Sequence, residues 1–304
     1  MNGRIKWLGI ILLIILATFS SYALSLRREN LVTNTLPLTP SPQGRGKEGI
    51  ERIISLYSAA TQILYDLGMA KRIVGVNRSS SNPPGAEKKV QLGRGFGHIN
   101  IEMVMALEPD IVFAWRPDGK VLKEKGIPVF VRDSDTCDIK RVIGLVRDIG
   151  KVVGKEVQAE EIAYHMQERI DKIKKKTAYI QSKPLVYFES GSLGHTRGPG
   201  SLTYDLITLA GGENIANDKL VAFPLLSNEY IITKNPEIII VEEYGASIEK
   251  RIEEIKGRDG WQEIKAIKNN KIFRSPVYYT DYAPRCIEGL EQFAKWFHPE
   301  IFKE

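Results

Sequence analysis

The sequence has few of the residues that most often bind metals or form disulfides. Its 304 residues include only 2 cysteines and 4 histidines. Two cysteines are too few for a disulfide framework. A bare metal ion would need several histidines or acidic side chains converging on it. His165 falls in a predicted long helix and His298 follows another, so we expect no shared histidine site.

Motifs of common enzyme classes are also missing from the sequence. Gly93, Gly95 and Gly97 have the wrong spacing for a dinucleotide-binding loop, and no strand leads directly into them. There is no phosphate-binding loop, and Ser192 and Ser201 lack the flanking glycines of a nucleophile elbow. We therefore expect no catalytic activity and no cofactor. An extracytoplasmic hydrolase stays an alternative, although no nucleophile is visible.

Charge of one sign is not concentrated anywhere along the chain. The net charge is only +6, and the basic residues are spread over the sequence, so a nucleic-acid-binding stripe is not expected. Hydrophobic residues make up 43% and charged residues 26%, as in a soluble globular protein. The chain is long enough for one large domain or two of ordinary size.

The N-terminus resembles an export signal. Arg4 and Lys6 precede an apolar run over residues 7–17, and small residues around Ala23 would suit cleavage. Residues 1–26 are therefore predicted to be a signal peptide or an uncleaved anchor, and the protein is expected in the periplasm or on the outer face of the membrane. No cysteine lies near the signal, so a lipoprotein anchor is not expected. Residues 27–50 are rich in proline and glycine and predict a flexible tether.

One pattern occurs twice in the chain. Residues 100–112 read N-x-E-x-x-x-x-x-x-P-D-I-V, and residues 227–239 read S-x-E-x-x-x-x-x-x-P-E-I-I. A solenoid would repeat every few tens of residues, so a repeat this far apart indicates two similar lobes. Two lobes joined once leave a cleft between them, where ligands commonly bind.

The hydrophobic pattern predicts an α/β fold with two lobes and mostly parallel sheets, because strands alternate with helices. In the N-terminal lobe, residues 51–154, it predicts strands at 52–56, 73–76, 111–115 and 128–131, and helices at 58–67, 100–107 and 121–125. In the C-terminal lobe, residues 181–304, it predicts strands at 185–188, 238–241 and 272–274, and helices at 202–209, from about 227, and at 286–297.

A long helix is predicted between the lobes. Residues 155–176 carry an apolar stripe, and this segment, taken as 155–180, would connect the lobes, although an ordinary surface helix has the same pattern. Cys137 and Cys286 fall in different lobes. A disulfide between them would restrict lobe motion, so we expect free thiols.

The chain resembles the extracytoplasmic substrate-binding proteins of ABC importers for iron complexes and corrinoids. The resemblance covers residues 51–302 and includes NIEMVMALEPDIVFAW at 100–115 and SNEYIITKNPEIIIVEE at 227–243. The other matching stretches are 52–76, 201–216 and 284–302. It implies two α/β lobes joined by one long helix, modest closure on the ligand, and delivery of a metal chelate to a permease. The chelate would be a transported ligand and not a cofactor, and the protein is expected to be a monomer.

The resemblance also assigns a role to the glutamates of the repeat. In similar proteins, one acidic residue on each lobe docks onto basic residues of the permease dimer, which here selects Glu102 and Glu229. The structural alternative is that an acid in the first turn of a helix is stabilised by the helix dipole.

The residues lining the cleft are predicted from the rule that open α/β sheets bind ligands at the carboxyl ends of their strands. Aromatic faces suit a large, partly apolar chelate, and arginines suit its anionic groups. Any one tyrosine could instead serve packing, and Arg285 could brace the terminal helix. The candidates are Tyr57, Asn77, Arg78, Arg94, Phe96, Trp115, Arg116, Glu189, Arg197, Tyr244, Tyr278, Tyr279, Tyr282 and Arg285.

The identity of the chelate is left open between a corrinoid, a ferric siderophore and haem. The run Phe-Ala-Trp-Arg at 113–116 is similar to the corrinoid-binding branch, whereas several loop arginines would also suit an anionic siderophore. His98 or His195 could supply one axial ligand to a chelated metal. A membrane-tethered sensor ectodomain with the same fold is the second alternative.

Overall fold

The computed structural model describes residues 49–78, 83–93, 97–132, 138–243 and 247–303. The predicted N-terminal signal or anchor and most of the tether lie outside these residues, and so do Arg94, Phe96, Cys137 and Tyr244. No helix in the described ranges has the length and apolarity needed to cross a membrane. Cys286 is completely buried. Because Cys137 is not described, the state of the two thiols stays a prediction.

The first lobe is built on a five-stranded parallel sheet with the strand order β3-β2-β1-β4-β5. Its three central strands are largely buried on both faces, as in parallel sheets covered by helices, whereas the edge strand β3 is exposed. Two of the four predicted strands, 73–76 and 111–115, have the predicted bounds, and the other two shift by one residue at each end. The strands are β1 (Ile53–Ser55), β2 (Ile73–Val76), β3 (Val90–Gln91), β4 (Ile111–Trp115) and β5 (Val129–Arg132).

The second lobe repeats this topology. Its sheet is parallel and has the order β7-β6-β8-β9, so that β6, β7, β8 and β9 correspond to β1, β2, β4 and β5. The prediction of two similar α/β lobes is therefore confirmed. The strands are β6 (Leu185–Glu189), β7 (Glu213–Asn214), β8 (Ile238–Glu242) and β9 (Ile272–Ser275).

Ten helices are found in the described residues, and three of them were not predicted. The three are α4, α8 and α9. α8 and α9 are short, with 9 and 4 residues, whereas α4 has 14 residues and a regular apolar stripe that the sequence prediction missed. The helices are α1 (Ser58–Asp66), α2 (Ile101–Ala106), α3 (Arg116–Glu124), α4 (Ile139–Val152), α5 (Glu156–Thr177), α6 (Leu202–Leu209), α7 (Asn228–Lys234), α8 (Ile248–Lys256), α9 (Lys265–Lys268) and α10 (Cys286–Phe297).

The two copies of the sequence repeat form the same local structure. The side chain of Asn100 accepts a hydrogen bond from the Met103 amide at 2.9 Å, and that of Ser227 accepts one from the Tyr230 amide at 3.2 Å. Each residue thus satisfies one of the unpaired amides at the start of a helix, α2 in one lobe and α7 in the other.

The same repeat also ends the two helices in the same way. Glu108 and Asn235 have positive φ angles of 41° and 52°, and each directly precedes the proline of its repeat. A residue before proline is disfavoured in the right-handed helical region, and a left-handed residue is a common helix stop. The repeat therefore encodes a capped helix, a fixed turn and a buried strand.

The helix α3 begins five residues earlier than predicted. Its N-terminal residues Arg-Pro-Asp-Gly were not part of the predicted helix, but proline is tolerated in the first turn of a helix, where its missing N–H would be unpaired anyway. The expectation that Arg116 lies in a loop is therefore wrong, because it is the first helical residue after β4.

The long helix between the lobes has 22 residues and spans roughly 33 Å. It buries Met166, Ile170 and Ile173 and packs along α4. The hydrophobic core around it is continuous, and includes buried residues from the first lobe, such as Ile63, and from the second, such as Phe293. All described residues lie in one compact unit. A shared core of this kind favours small relative motions of the lobes over wide opening.

Candidate ligand-binding cleft

The carboxyl ends of strands from the two lobes lie next to each other. Arg132, the last residue of β5, has its guanidinium 4.0 Å from the ring centroid of Tyr282, which follows β9 in the second lobe. The hydroxyl of Ser58, which begins α1 in the first lobe, opposes the rise in the pKa of Asp281, the residue before Tyr282. The lobes thus contact each other at the sheet edge where ligands are expected.

Two of the predicted aromatic residues form a wall on the first lobe. Tyr57 follows β1 and Trp115 ends β4, and their ring centroids are 5.6 Å apart. The guanidinium of Arg132 lies 4.3 Å from the centroid of the Trp115 ring, on a third neighbouring strand. Arg132 was not among the residues predicted from the sequence, although it ends β5 as Trp115 ends β4, and the same rule about strand ends applies to both.

Three other predicted residues of the first lobe have different surroundings. The amide nitrogen of the buried Asn77 side chain donates a hydrogen bond to the carbonyl of Leu56, which ties the ends of β2 and β1 together. Arg78 and Arg116 are both exposed. Asn77 therefore has a structural role in addition to the ligand contact predicted for it, and the two arginines are accessible to an anion.

The second lobe contributes a polar network at the ends of β6 and β8. Nη2 of Arg197 donates to the hydroxyl of Ser190 at 2.7 Å and lies 3.7 Å from the Glu242 carboxylate. Glu242 also accepts hydrogen bonds from Ser190 at 2.5 Å and from Thr280 at 2.8 Å. Arg197 was predicted, whereas the buried Glu242 was missed because its sequence context is that of an ordinary strand end.

An exposed apolar segment adjoins this network. The guanidinium of Arg197 lies 5.2 Å from the ring centroid of Phe223. The side chains of Leu220, Val221, Phe223 and Leu225 are all exposed, and Leu220 completely so. Exposed apolar side chains this close together mark interaction sites more often than single ones do. The run Leu-Val-Ala-Phe-Pro-Leu-Leu, without helical or strand periodicity, was the sequence signal for this segment.

Glu189 occupies a different position from the one expected. It is the last residue of β6 and not part of a loop, and it is completely buried. Its carboxylate is paired with Arg251 at 3.2 Å and with Arg258 at 2.5 Å, and it accepts a hydrogen bond from the Tyr187 hydroxyl at 3.1 Å. Both oxygens are therefore engaged inside the lobe, so the ligand contact predicted for Glu189 has no support in this geometry.

The late tyrosine segment packs on the start of the terminal helix. The Arg285 guanidinium lies 3.6 Å from the ring centroid of Tyr278, and Tyr279 packs edge-on against Tyr278 with centroids 4.9 Å apart. Arg285 also donates two hydrogen bonds to Glu288, at 3.0 and 3.1 Å. This pairing favours the alternative that Arg285 braces α10.

Two acidic groups near the contact between the lobes have raised pKa values. Partial desolvation raises the pKa of Asp66 from 3.8 to about 6 although its side chain reaches the surface, with Arg285 opposing the rise and Glu288 adding to it. Burial also raises the pKa of Asp281, against the effects of the Ser58 hydroxyl, the Tyr282 amide and Arg132. The ionised form of a carboxyl group is therefore less favourable here than in water. An anionic group of a ligand would be disfavoured in the same way unless an arginine neutralises it.

The two glutamates of the repeat are exposed in the first turns of equivalent helices, Glu102 on α2 and Glu229 on α7. Hydrogen bonds from its own amide and from the Ser227 hydroxyl lower the pKa of Glu229. An open groove of about 680 Å³ adjoins Glu102; it is lined by Gln91, Leu92, Gly93, His98, Ile99, Asn100, Glu102 and Met103. In the described ranges, no three His, Cys, Asp or Glu side chains come together as they would around a metal ion.

Comparisons with known proteins agree with this arrangement. A model of the periplasmic binding protein family matches residues 53–279. The chain is 27% identical to an uncharacterized ABC transporter substrate-binding lipoprotein of Bacillus subtilis over 270 residues, which are 85% of this chain and 83% of that protein. It is also 27% identical to the vitamin B12-binding protein of Vibrio cholerae over 253 residues, 80% of this chain and 87% of that protein.

Solved structures extend the likeness to the fold. A possible iron-binding periplasmic solute-binding protein of Staphylococcus epidermidis superposes with a TM-score of 0.70 at 29% identity. The match covers 82% of this chain and 99% of that one. The two-lobed architecture is thus shared over almost the whole length of the Staphylococcus protein.

Proposed function

This chain belongs to the periplasmic binding protein family, and from that premise we propose that it captures a metal chelate between its lobes and delivers it to the permease of an ABC importer. The chelate is a corrinoid, a ferric siderophore or haem. The protein works on the outer side of the cytoplasmic membrane, as a monomer and without a cofactor of its own. The Bacillus relative is named as an ABC transporter substrate-binding protein and the Vibrio relative as a vitamin B12-binding protein, which supports this proposal.

The observation that carries the proposal is the chemistry of the contact between the lobes. Trp115 on one lobe and Tyr282 and Phe223 on the other offer aromatic surface, and the buried Tyr57 packs against Trp115. Arginines lie among these rings in each lobe. A macrocycle or siderophore has a large apolar face and anionic substituents, and both kinds of group are matched by these side chains.

The proposed ligand is tested by titrating the purified full-length protein with cyanocobalamin, haemin and a ferric siderophore. Binding is measured by calorimetry and by quenching of tryptophan fluorescence, since Trp115 lies at the site. We expect saturable one-to-one binding of one of these compounds. If none of them binds, the protein is not a receptor for these chelates, and the sensor ectodomain becomes the better hypothesis.

Delivery is proposed to depend on Glu102 and Glu229. One exposed carboxylate at the same position of each lobe suits a permease made of two similar subunits, and such charges mainly speed and orient the encounter. Replacing both glutamates by lysine should leave the dissociation constant of the chelate unchanged and abolish its uptake. Uptake is measured in cells in which this protein is the only binding protein for the chelate.

A matched control keeps the change in net charge the same. Glu124→Lys together with Glu253→Lys changes one exposed glutamate on another helix of each lobe. Cells that carry this control variant should take up the chelate at the normal rate. Normal uptake by the Glu102→Lys, Glu229→Lys variant would refute the docking assignment, because the reversed charges would then have met no basic partner.

A further inference from the structure

Arg132 lies in an unusual environment for a charged side chain. It is only 6% exposed. Its guanidinium packs against two aromatic rings, with the centroid of Trp115 of the first lobe at 4.3 Å and that of Tyr282 of the second at 4.0 Å. In the part of the chain that the structure describes, neither of its terminal nitrogens has a hydrogen-bond partner. Arg132 is therefore a buried cation whose N–H groups have not been matched.

The nearby carboxylates do not supply the missing partner. Asp281 accepts a hydrogen bond from the Tyr282 amide at 2.8 Å. Glu242 accepts from Ser190 and Thr280. Neither is within hydrogen-bond distance of Arg132 in the described structure.

Other buried or half-buried arginines of this chain behave differently. Arg251 and Arg258 share the Glu189 carboxylate, and Arg169 forms two hydrogen bonds of 2.8 Å with Glu291. Leaving a buried charge without a partner costs several kcal/mol, so such groups are normally paired. The exception at Arg132 falls at the contact between the two lobes, where a ligand is expected.

We propose that Arg132 binds an oxyanion of the ligand, a carboxylate or a phosphate, and so makes the cleft selective for chelates that carry one. Because two aromatic rings pack against the guanidinium, a partner would approach along its edge, in its plane. That is the direction from which a carboxylate or phosphate forms two parallel N–H···O hydrogen bonds. This inference rests on the proposed function and specifies the class of ligand for the same cleft.

The anion reaches Arg132 only when the lobes part slightly. The two terminal nitrogens are shielded from water in this structure, and Tyr282 belongs to the opposite lobe from Arg132. Without a ligand, the terminal nitrogens of Arg132 have no hydrogen-bond acceptor in the described structure. A bound oxyanion supplies the acceptors, so closure around an anionic chelate is favoured over closure of the empty cleft.

The test compares ligands that differ in an anionic group. The pairs are haemin with its dimethyl ester, cyanocobalamin with dicyanocobinamide, which lacks the phosphodiester, and ferric enterobactin with the uncharged ferrichrome. Dissociation constants are measured by calorimetry for the full-length protein and for Arg132→Met, using the pair that contains the compound bound in the first titration. We expect the wild type to prefer the anionic member by about 10- to 100-fold, as hydrogen bonds between charged groups allow.

In Arg132→Met this preference should fall to within about threefold, while the affinity for the other member changes little. Arg147→Met is the control, because it also removes one arginine, one that pairs with Glu160 at the surface. It should keep the wild-type preference. If Arg132→Met does not fold, Arg132→Lys is measured instead. Lysine keeps the positive charge but lacks the two parallel N–H donors of the guanidinium, so the preference for the anionic ligand should fall at least fivefold.

Three outcomes would overturn the inference. A preference that persists in the variant would show that another residue binds the anion. An equal loss of affinity for both members would make Arg132 a packing residue between the rings. Failure of the wild type to bind any of these compounds would refute the proposed function and the inference with it, whereas the first two outcomes leave the proposed function intact.

Discussion

The buried cluster around Glu189 allows the sharpest test of a structural role against a role in binding. Glu189→Gln removes the negative charge that lies between Arg251 and Arg258, at 3.2 and 2.5 Å, and leaves two cations in the interior of the second lobe. Arg251 also donates a hydrogen bond to the carbonyl of Glu242 at 2.8 Å, so the cluster supports the strand end that faces the cleft.

The expected loss of stability follows from that geometry. Removing one partner of a buried ion pair costs about 3–5 kcal/mol. In a chain of this size each kcal/mol lowers the melting temperature by about 2–4 °C, which predicts a decrease of about 6–20 °C. Glutamine keeps the shape of the side chain and one acceptor oxygen, so we expect a value at the lower end of that range.

The assay combines calorimetric melting with titration of the chelate well below the transition. Glu189→Gln should melt earlier but keep its dissociation constant within about threefold of the wild type. Glu253→Gln is the control, because Glu253 is 72% exposed, and its exposed pair with Lys256 contributes at most about 1 kcal/mol. An unchanged melting temperature together with weaker binding would refute the structural role and restore Glu189 as a ligand contact.

Three other predictions concern the cleft and its supports. Trp115→Ala should weaken chelate binding by about 10-fold or more, since a stacked aromatic ring contributes on the order of 1 kcal/mol beyond its buried area, and an unchanged dissociation constant would remove Trp115 from the site. The neutral form of Asp66 favours folding below pH 3.8, and this contribution is lost as the pH rises through about 6. Asp66→Asn should therefore raise the melting temperature at pH 7.5 but not near pH 4, and equal shifts at both pH values would contradict the raised pKa. Gly289→Ala should lower both stability and affinity, because its Cβ would lie 2.5 Å from the Tyr279 carbonyl oxygen. Gly144→Ala, on the other hand, meets no atom within 4 Å and should be neutral or stabilising; similar melting temperatures for the two alanine variants would count against the packing of Tyr279 on α10.

Much of the fold was predictable because the signals for it are local. The caps at Asn100 and Ser227, the prolines that follow, and the apolar runs of β4 and β8 all lie within short windows of sequence. Their recurrence in one register predicted two similar lobes, and the matching strand orders confirm it. α6 and α10 have the predicted bounds because a clear apolar stripe and a helix stop identify them.

The site was less predictable, because its chemistry depends on which side chains meet across the fold. The rule for strand ends selected Trp115 correctly as a residue at the sheet edge, but the same rule placed Glu189 in a loop, when arginines from distant segments hold it inside the lobe. Whether the selected residues bind a ligand stays a prediction.

The sequence by itself determined two repeated α/β units, a long helix between them and an exposed acid at the same place in each. Only the tertiary structure decided that Arg132 lies between Trp115 of one lobe and Tyr282 of the other, more than a hundred residues apart in the chain. Periodicity and capping act over a few residues and can be read from neighbours in sequence. Whether a charge is paired or left for a ligand depends on burial and on partners that only folding brings together.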